Sequence, residues 1–196
     1  MYKRQVYDRA ATQSDGKFKR WWLQLPRPAT VSGKRATMTS ASGQQLFVTS
    51  LLPANAVLTA VNTNELLIED TAAANDPMKV RLRVDGGDAQ AVEFLHVLQG
   101  ADAGANADPL TLVQDPAGAV RGVAIGARAV LFVRAPASGA LSYTLPAAVT
   151  EQIVTGLAKN ASYTVKRMVS GGTASITLQP GAGTATDGGG VLLIGP

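Results

Sequence analysis

Hydrophobic residues recur at every second position along most of the chain, and helical spacing is nearly absent. A period of two is typical of β-strands that bury one face. Turn residues separate the alternating runs at intervals of roughly 8–12 residues, as in sandwiches and barrels. The pattern predicts strands over 18–25, 45–51, 56–61, 65–69, 78–84, 92–98, 110–114, 120–125, 129–133, 140–145, 151–154, 163–168, 174–178 and 190–194.

Two of these segments indicate how the strands are covered. Over 79–84, Val80, Leu82 and Val84 alternate with basic residues, which predicts one buried face and one solvated face. Residues 94–98 are apolar on both faces, as in a central strand that is covered on both sides. Short turns between successive strands predict antiparallel pairing. Residues 147–152 offer at most one helical turn, so we predict an all-β, antiparallel, multi-stranded β-sandwich of the supersandwich type, with almost no helix.

Domain organisation is marked only weakly. Proline and small residues cluster at 135–139, so we expect a main β-sandwich over 6–134. Residues 135–196 then supply C-terminal β-strands, in the same domain or in a small β subdomain. The opening Met1-Tyr2-Lys3-Arg4-Gln5 resembles a translated sequencing adaptor at the edge of a metagenomic contig. We therefore expect residues 1–5 to be foreign and the natural protein to extend upstream, in which case the missing signal peptide carries no information.

Composition narrows the chemistry. The 196 residues include no cysteine and one histidine, which excludes disulfides, thiolate zinc sites, a cysteine nucleophile and a multi-histidine metal cage. We accordingly predict no metal and no cofactor. No run of 18 apolar residues occurs, so no membrane-spanning helix is predicted. The hydrophobic share of 46% and the net charge of +4 argue against disorder.

The basic residues are concentrated at the start of the chain. Residues 1–35 hold nine Lys or Arg against two Asp, whereas the remainder holds nine against twelve acidic residues. A basic segment can bind an acidic polymer, either nucleic acid or anionic polysaccharide, or it can simply line a solvated strand face. No nucleic-acid-binding motif accompanies the basic residues. Nucleic acid is therefore the less favoured partner.

No catalytic residue is predicted. His96 lies in an apolar strand and is expected to be a core histidine with one ring nitrogen hydrogen-bonded. A catalytic base would need an orienting carboxylate and a nucleophile, and the nearby Glu93 points to the opposite strand face. The Gly-x-Ser-x-Gly nucleophile motif is absent. The aspartates lie at strand ends and in loops, where turn chemistry accounts for them.

The most informative short segment is Lys19-Arg20-Trp21-Trp22. Neighbouring side chains on a strand point to opposite faces, so one tryptophan can enter the core while the other lies exposed. An exposed indole beside Lys and Arg could stack on a sugar ring while the bases pair with its carboxylate or sulfate. The four residues are the candidate substrate-binding set. The alternative is that both indoles pack between layers.

Six further segments occur in one order along nearly the whole chain: Val6-Tyr7-Asp8-Arg9, Trp22-Leu23-Gln24-Leu25-Pro26, Gly43-Gln44-Gln45-Leu46-Phe47-Val48-Thr49-Ser50-Leu51-Leu52-Pro53, Phe94-Leu95-His96-Val97-Leu98-Gln99, Arg128-Ala129-Val130-Leu131-Phe132 and Asp187-Gly188-Gly189-Gly190-Val191-Leu192. Together the series resembles the C-terminal β-sandwich region of heparinase II/III-like polysaccharide lyases, a group that includes oligoalginate lyases.

This resemblance implies the back half of a bacterial periplasmic or extracellular enzyme. In such lyases an α/α-toroid precedes the β-sandwich, and the substrate cleft lies between them. β-Elimination at a uronic acid removes the C5 proton, neutralises the carboxylate and protonates the leaving oxygen. The residues that do this would lie upstream of Val6, so none is assigned here and the chain alone is expected to be inactive.

Two other functional classes of protein are also consistent with the sequence. A free-standing carbohydrate-binding β-sandwich would bind an acidic glycan by itself, with an affinity that depends on the indoles and on salt. A phage or surface structural β-protein is favoured by composition alone. The implied partners are an acidic polysaccharide, bound through the parent enzyme, and the missing toroid domain.

Overall fold

The computed structural model describes residues 2–61, 80–134 and 139–195. Over these residues the chain forms β-strands and no helix, and the all-β prediction is confirmed. The strands form several sheets in which antiparallel pairing predominates. The chain divides into two compact units, Met1–Ala107 and Asp108–Pro196.

The first unit is a sandwich of a five-stranded and a three-stranded sheet. Its strands are β1 (Lys3–Ala11), β2 (Arg20–Leu25), β3 (Ala29–Ser32), β4 (Arg35–Thr39), β5 (Gln45–Leu52), β6 (Val57–Val61), β7 (Val80–Asp85) and β8 (Ala91–Ala101). The five-stranded sheet has the order β1-β8-β5-β4-β3, and the three-stranded sheet has the order β2-β7-β6. Alternating apolar residues of both sheets form one core, to which Val48 and Phe94 belong from the first sheet and Leu25 and Leu82 from the second.

The second unit repeats the two-sheet arrangement. Its strands are β9 (Thr111–Gln114), β10 (Val120–Ile125), β11 (Arg128–Val133), β12 (Leu141–Pro146), β13 (Glu151–Thr155), β14 (Ser162–Ser170), β15 (Thr173–Pro180), β16 (Thr184–Ala185) and β17 (Leu192–Ile194). The sheet orders are β17-β13-β11-β10-β9 and β12-β15-β14-β16. A buried hydrogen bond joins the two sheets, because Tyr143 Oη donates to Gln152 Oε1 at 2.8 Å. Burial also raises the pKa of Tyr143.

The compact units meet at a different position from the cluster of proline and small residues. The cluster of proline and small residues had placed a seam at 135–139, whereas the compact units meet between Ala107 and Asp108. The reason is that β11, before the predicted seam, pairs with β13, after it. A division at residue 134 would cut through a hydrogen-bonded sheet, so 120–133 and 151–155 belong to one sheet.

Several local expectations also change. The short strands β3 and β4 form a hairpin that alternation did not reveal. β11 and β13 run parallel, against the antiparallel expectation, because β12 lies in the other sheet and the chain returns in the original direction. Residues 147–152 keep within the expected single turn, because Val149 N donates to Pro146 O at 3.0 Å and β13 begins at Glu151. The predicted strand 65–69 and the start of strand 78–84 lie outside the described residues.

The prediction for residues 94–98 is confirmed. β8 lies between β1 and β5, and Phe94, Leu95, His96 and Val97 are all buried. Val6 of β1 and Ser50 of β5 lie opposite His96 in the register. A central strand loses solvent on both edges and on both faces, which explains why its sequence does not alternate.

Candidate functional site

Strand β2 and the residue before it divide the four predicted site residues between two environments. Lys19 and Trp21 point toward the core of the first unit, whereas Arg20 and Trp22 lie on the solvent side. This division follows from the period of two in an extended strand. The expectation that the two indoles face opposite ways is therefore confirmed, and the four residues do not form one surface.

Lys19 is a buried structural residue. Its side chain is only 5% exposed. The Nζ atom donates hydrogen bonds to Thr12 Oγ1 at 2.8 Å, to Lys17 O at 2.8 Å and to Ala89 O at 2.5 Å. Because an ammonium group has three N–H donors, these acceptors use all of them. Lys19 joins the segment after β1 to the segment before β8, and the structure removes it from the candidate sugar-binding surface.

Trp21 packs on the single histidine. The ring centroids of Trp21 and His96 lie 4.0 Å apart, and those of Phe94 and His96 lie 5.9 Å apart. His96 is fully buried, and neither ring nitrogen has a hydrogen-bond partner among the described residues. The predicted single hydrogen bond to the imidazole is therefore wrong: the ring contacts Trp21 and Phe94, and the hydroxyl of the opposite Ser50 bonds to Leu52 O instead. Burial lowers the pKa of His96 to about 4.

Trp22 lies on the solvent-facing side of the three-stranded sheet, in its edge strand β2. Arg83 of β7 is directly opposite Trp22, and Thr59 of β6 is opposite Arg83. The Trp22 side chain is 36% exposed. We call this surface the Trp22 face; its residues are Arg20, Trp22, Gln24, Arg81, Arg83, Asp85, Val57, Thr59 and Val61.

Three arginines and one aspartate set the charge of the Trp22 face. Arg20 is partly neutralised, because its Nε donates to Asp85 Oδ2 at 3.0 Å and its guanidinium lies 4.3 Å from the Phe18 ring centroid. Burial by itself raises the pKa of Asp85. Hydrogen bonds from Arg20 and the Gly87 amide, together with the charges of Arg20 and Arg83, outweigh this effect, so the pKa of Asp85 is lowered overall. Asp85 is thus an anion that forms an ion pair with Arg20.

Because Asp85 pairs with Arg20, Arg81 and Arg83 supply the remaining positive charge of the Trp22 face. Arg83 Nη2 makes only a long hydrogen bond of 3.4 Å to Thr59 Oγ1, and its buried Nε has no partner among the described residues. Arg81 lies two residues along the same strand, opposite Gln24. A planar guanidinium on a solvent-facing strand side suits a carboxylate or a sulfate. With the neighbouring indole, the arrangement can hold the apolar face of a sugar ring beside its acidic group.

The partners of Trp22 come from a distant part of the chain. Alternation over 79–84 had already placed the basic side chains of this strand on a solvated face. Nothing in the sequence pattern, however, indicated that β7 is the neighbour of β2. Sixty-one positions separate Trp22 from Arg83, and only the antiparallel register brings them side by side.

No group of three or more His, Asp or Glu side chains that could hold a metal ion occurs in 2–61, 80–134 or 139–195. In the same part of the chain, no helix has the length and apolar composition required to cross a bilayer.

Comparison with known proteins gives no family. No protein-family model matches the chain. No curated protein matches it either.

Proposed function

We propose that the chain is the non-catalytic C-terminal β-domain of a polysaccharide lyase. The parent enzyme would act by β-elimination on a uronic-acid-containing polysaccharide in the periplasm or outside the cell, and this domain would support the cleft of an N-terminal α/α-toroid. One observation carries the proposal. Three of the segments that resemble the lyases, 6–9, 43–53 and 94–99, fall in or around β1, β5 and β8, which are hydrogen-bonded neighbours in one sheet.

The environment of the single histidine supports a non-catalytic role. A base that removes the C5 proton must reach the sugar, and one water at most can separate them. His96 is fully buried between Trp21 and Phe94, so its imidazole has no access to a substrate. Proton transfer would then be supplied by the toroid. The β-domain would contribute binding through the Trp22 face.

Product formation tests the lyase proposal. The chain alone is expected to release no unsaturated uronate from alginate or from a heparin-type polymer, measured by the ultraviolet absorbance of the new C4–C5 double bond. A longer protein in which the natural upstream region is joined to this chain is expected to release it. Product from the chain alone would contradict the non-catalytic assignment. An upstream region without a helical toroid would contradict the family assignment.

A free-standing carbohydrate-binding module is the second candidate, and the Trp22 face favours it. A half-exposed indole directly opposite a half-buried arginine is an arrangement that needs no second domain to hold an acidic sugar. Both candidates therefore predict glycan binding at this face. They differ in whether the chain also completes a catalytic cleft.

We expect Trp22→Ala to weaken binding of the chain to an oligouronate by about tenfold or more, because aromatic anchors of this kind contribute roughly 2 kcal/mol. Arg83→Gln is expected to weaken binding by about tenfold and to make the remaining affinity less sensitive to salt. Isothermal titration calorimetry with defined oligouronates measures both effects.

Matched controls separate the site from general surface effects. Tyr2→Ala removes an aromatic side chain that is 93% exposed, and Arg27→Gln removes an exposed arginine that follows β2. Neither change is expected to alter the affinity. Equal losses in the controls and in the site variants would contradict a specific Trp22 face, as would binding of a neutral glycan that is as tight as binding of the oligouronate.

A further inference from the structure

A second basic site, an open cavity, lies on the five-stranded sheet of the first unit. It has a volume of about 460 Å³, within the range of roughly 300–1,000 Å³ that is usual for small-molecule sites. Its lining residues come from the β3–β4 hairpin and from β5: Ser32, Lys34, Arg35, Thr37, Phe47 and Thr49. Arg35 is opposite Thr49, and Thr37 is opposite Phe47. The register therefore places these four side chains on one side of the five-stranded sheet.

The guanidinium of Arg35 is held in place by two buried residues. Its Nε donates to Thr49 Oγ1 at 3.2 Å, and its Cζ lies 5.9 Å from the centroid of the Phe47 ring. Phe47 and Thr49 are both buried, so they form a fixed floor. These contacts use one edge of the guanidinium. The two terminal nitrogens keep the parallel N–H donors that bind a carboxylate or a sulfate in a bidentate manner.

The other polar groups of the cavity suit the same kind of ligand. Lys34 Nζ donates one hydrogen bond to Ala56 O at 2.5 Å, and its other two N–H donors remain. Ser32 and Thr37 add hydroxyl groups that can bond to sugar hydroxyls. None of the described lining residues is acidic. Two cations without a lining carboxylate make the cavity selective for an anion.

We propose that this cavity is a second glycan site, which binds the carboxylate or sulfate of an acidic monosaccharide unit through Arg35 and Lys34. The site goes beyond the Trp22 face, since it lies on a different sheet and shares no residue with it. It also differs in kind. The Trp22 face offers a ring platform for a polymer, whereas the open cavity offers two cations to a single charged unit.

Nuclear magnetic resonance of the isotope-labelled full chain tests the proposal with small ligands. Sodium glucuronate and glucose 6-sulfate represent the carboxylate and sulfate sources, and methyl glucoside is the neutral comparison. We expect saturable shifts in the amide signals of Arg35, Thr37, Phe47 and Thr49 with one or both acidic ligands. Arg35→Gln is expected to weaken this binding about tenfold, because the paired charge-assisted hydrogen bonds are lost.

The controls distinguish this site from the proposed function. Arg27→Gln and Trp22→Ala should leave the shifts at the cavity unchanged, and Arg35→Gln should retain the dispersed amide spectrum of the folded chain. Loss of oligouronate binding in Trp22→Ala with intact shifts here would show two separate sites. The proposal is overturned if no saturable shift occurs at the four amides, if methyl glucoside gives equal shifts, or if a folded Arg35→Gln binds as tightly as the original chain.

Discussion

Lowering the pH from about 7.5 to about 4 is expected to reduce the free energy of unfolding by about 3 kcal/mol through one residue, His96. In the folded chain the pKa of His96 is lowered from 6.5 to about 4 by burial. In the unfolded chain the imidazole regains its ordinary pKa and takes up a proton below pH 6.5. Between these values the unfolded state binds more protons than the folded state, so stability is complete above pH 6.5 and is lost as the pH falls toward 4.

The substitution His96→Leu isolates this effect. Leucine has a similar size, keeps the apolar contacts with Trp21 and Phe94, and removes two buried nitrogens that have no partner among the described residues. We expect the variant to be at least as stable as the original chain at neutral pH. At about pH 4 it should be the more stable protein by about 3 kcal/mol or more.

Urea unfolding at a series of pH values, followed by tryptophan fluorescence, measures the difference. Both tryptophans lie in the first unit, and Trp21 contacts the imidazole itself. Carboxylates titrate in both proteins, so the difference between the two stability curves reports His96 alone. Parallel curves from pH 7.5 to 4 would show that the imidazole is not held neutral in the core.

Gly122→Ala is expected to destabilise the second unit by about 3 kcal/mol or more. Gly122 lies in β10, between β9 and β11. A Cβ at this position would lie 2.2 Å from the Val130 carbonyl oxygen and 2.9 Å from the Leu131 Cα. Both atoms belong to the backbone of the neighbouring strand, so no side-chain rotation relieves the contact. The sheet would have to separate locally, with loss of ladder hydrogen bonds.

The matched control is Gly188→Ala, because nothing lies within 4 Å of a Cβ built there and its backbone is outside the left-handed region. We expect its midpoint in urea, followed by far-ultraviolet circular dichroism, to stay close to that of the original chain. The midpoint of Gly122→Ala should fall well below both. Coincident unfolding curves for the two alanine variants would contradict the close approach of β10 and β11.

Alternation was a reliable guide to single strands. It predicted that Trp21 and Trp22 face opposite sides and that the basic residues of 79–84 line a solvated face, and its absence over 94–98 predicted a central strand. These are properties of one extended segment, since side-chain direction and exposure follow from the pleat. The hairpin of β3 and β4 was not predicted, because strands of four and five residues contain too few repeats of the alternating pattern.

Predictions about which residues contact a given side chain were less accurate. Lys19 was expected to flank an exposed indole, yet its position before β2 turns it inward, where oxygen atoms of Thr12, Lys17 and Ala89 accept its hydrogen bonds. His96 was expected to have a hydrogen bond, and it has aromatic contacts instead. In both cases the partner lies on another element. A buried polar group generally requires a hydrogen-bond partner, but which residue becomes that partner depends on the fold.

The sequence by itself determined the all-β class, most of the strands, and which side of each strand meets solvent. Only the tertiary structure decided that the division falls after Ala107, that β11 and β13 run parallel, that Trp22 meets Arg83, and that Arg35 lies over Phe47 beside Thr49. The physical reason is that alternation is a local consequence of the pleat. Strand order and register are selected by burying all the apolar faces together, and that choice involves residues far apart in the chain.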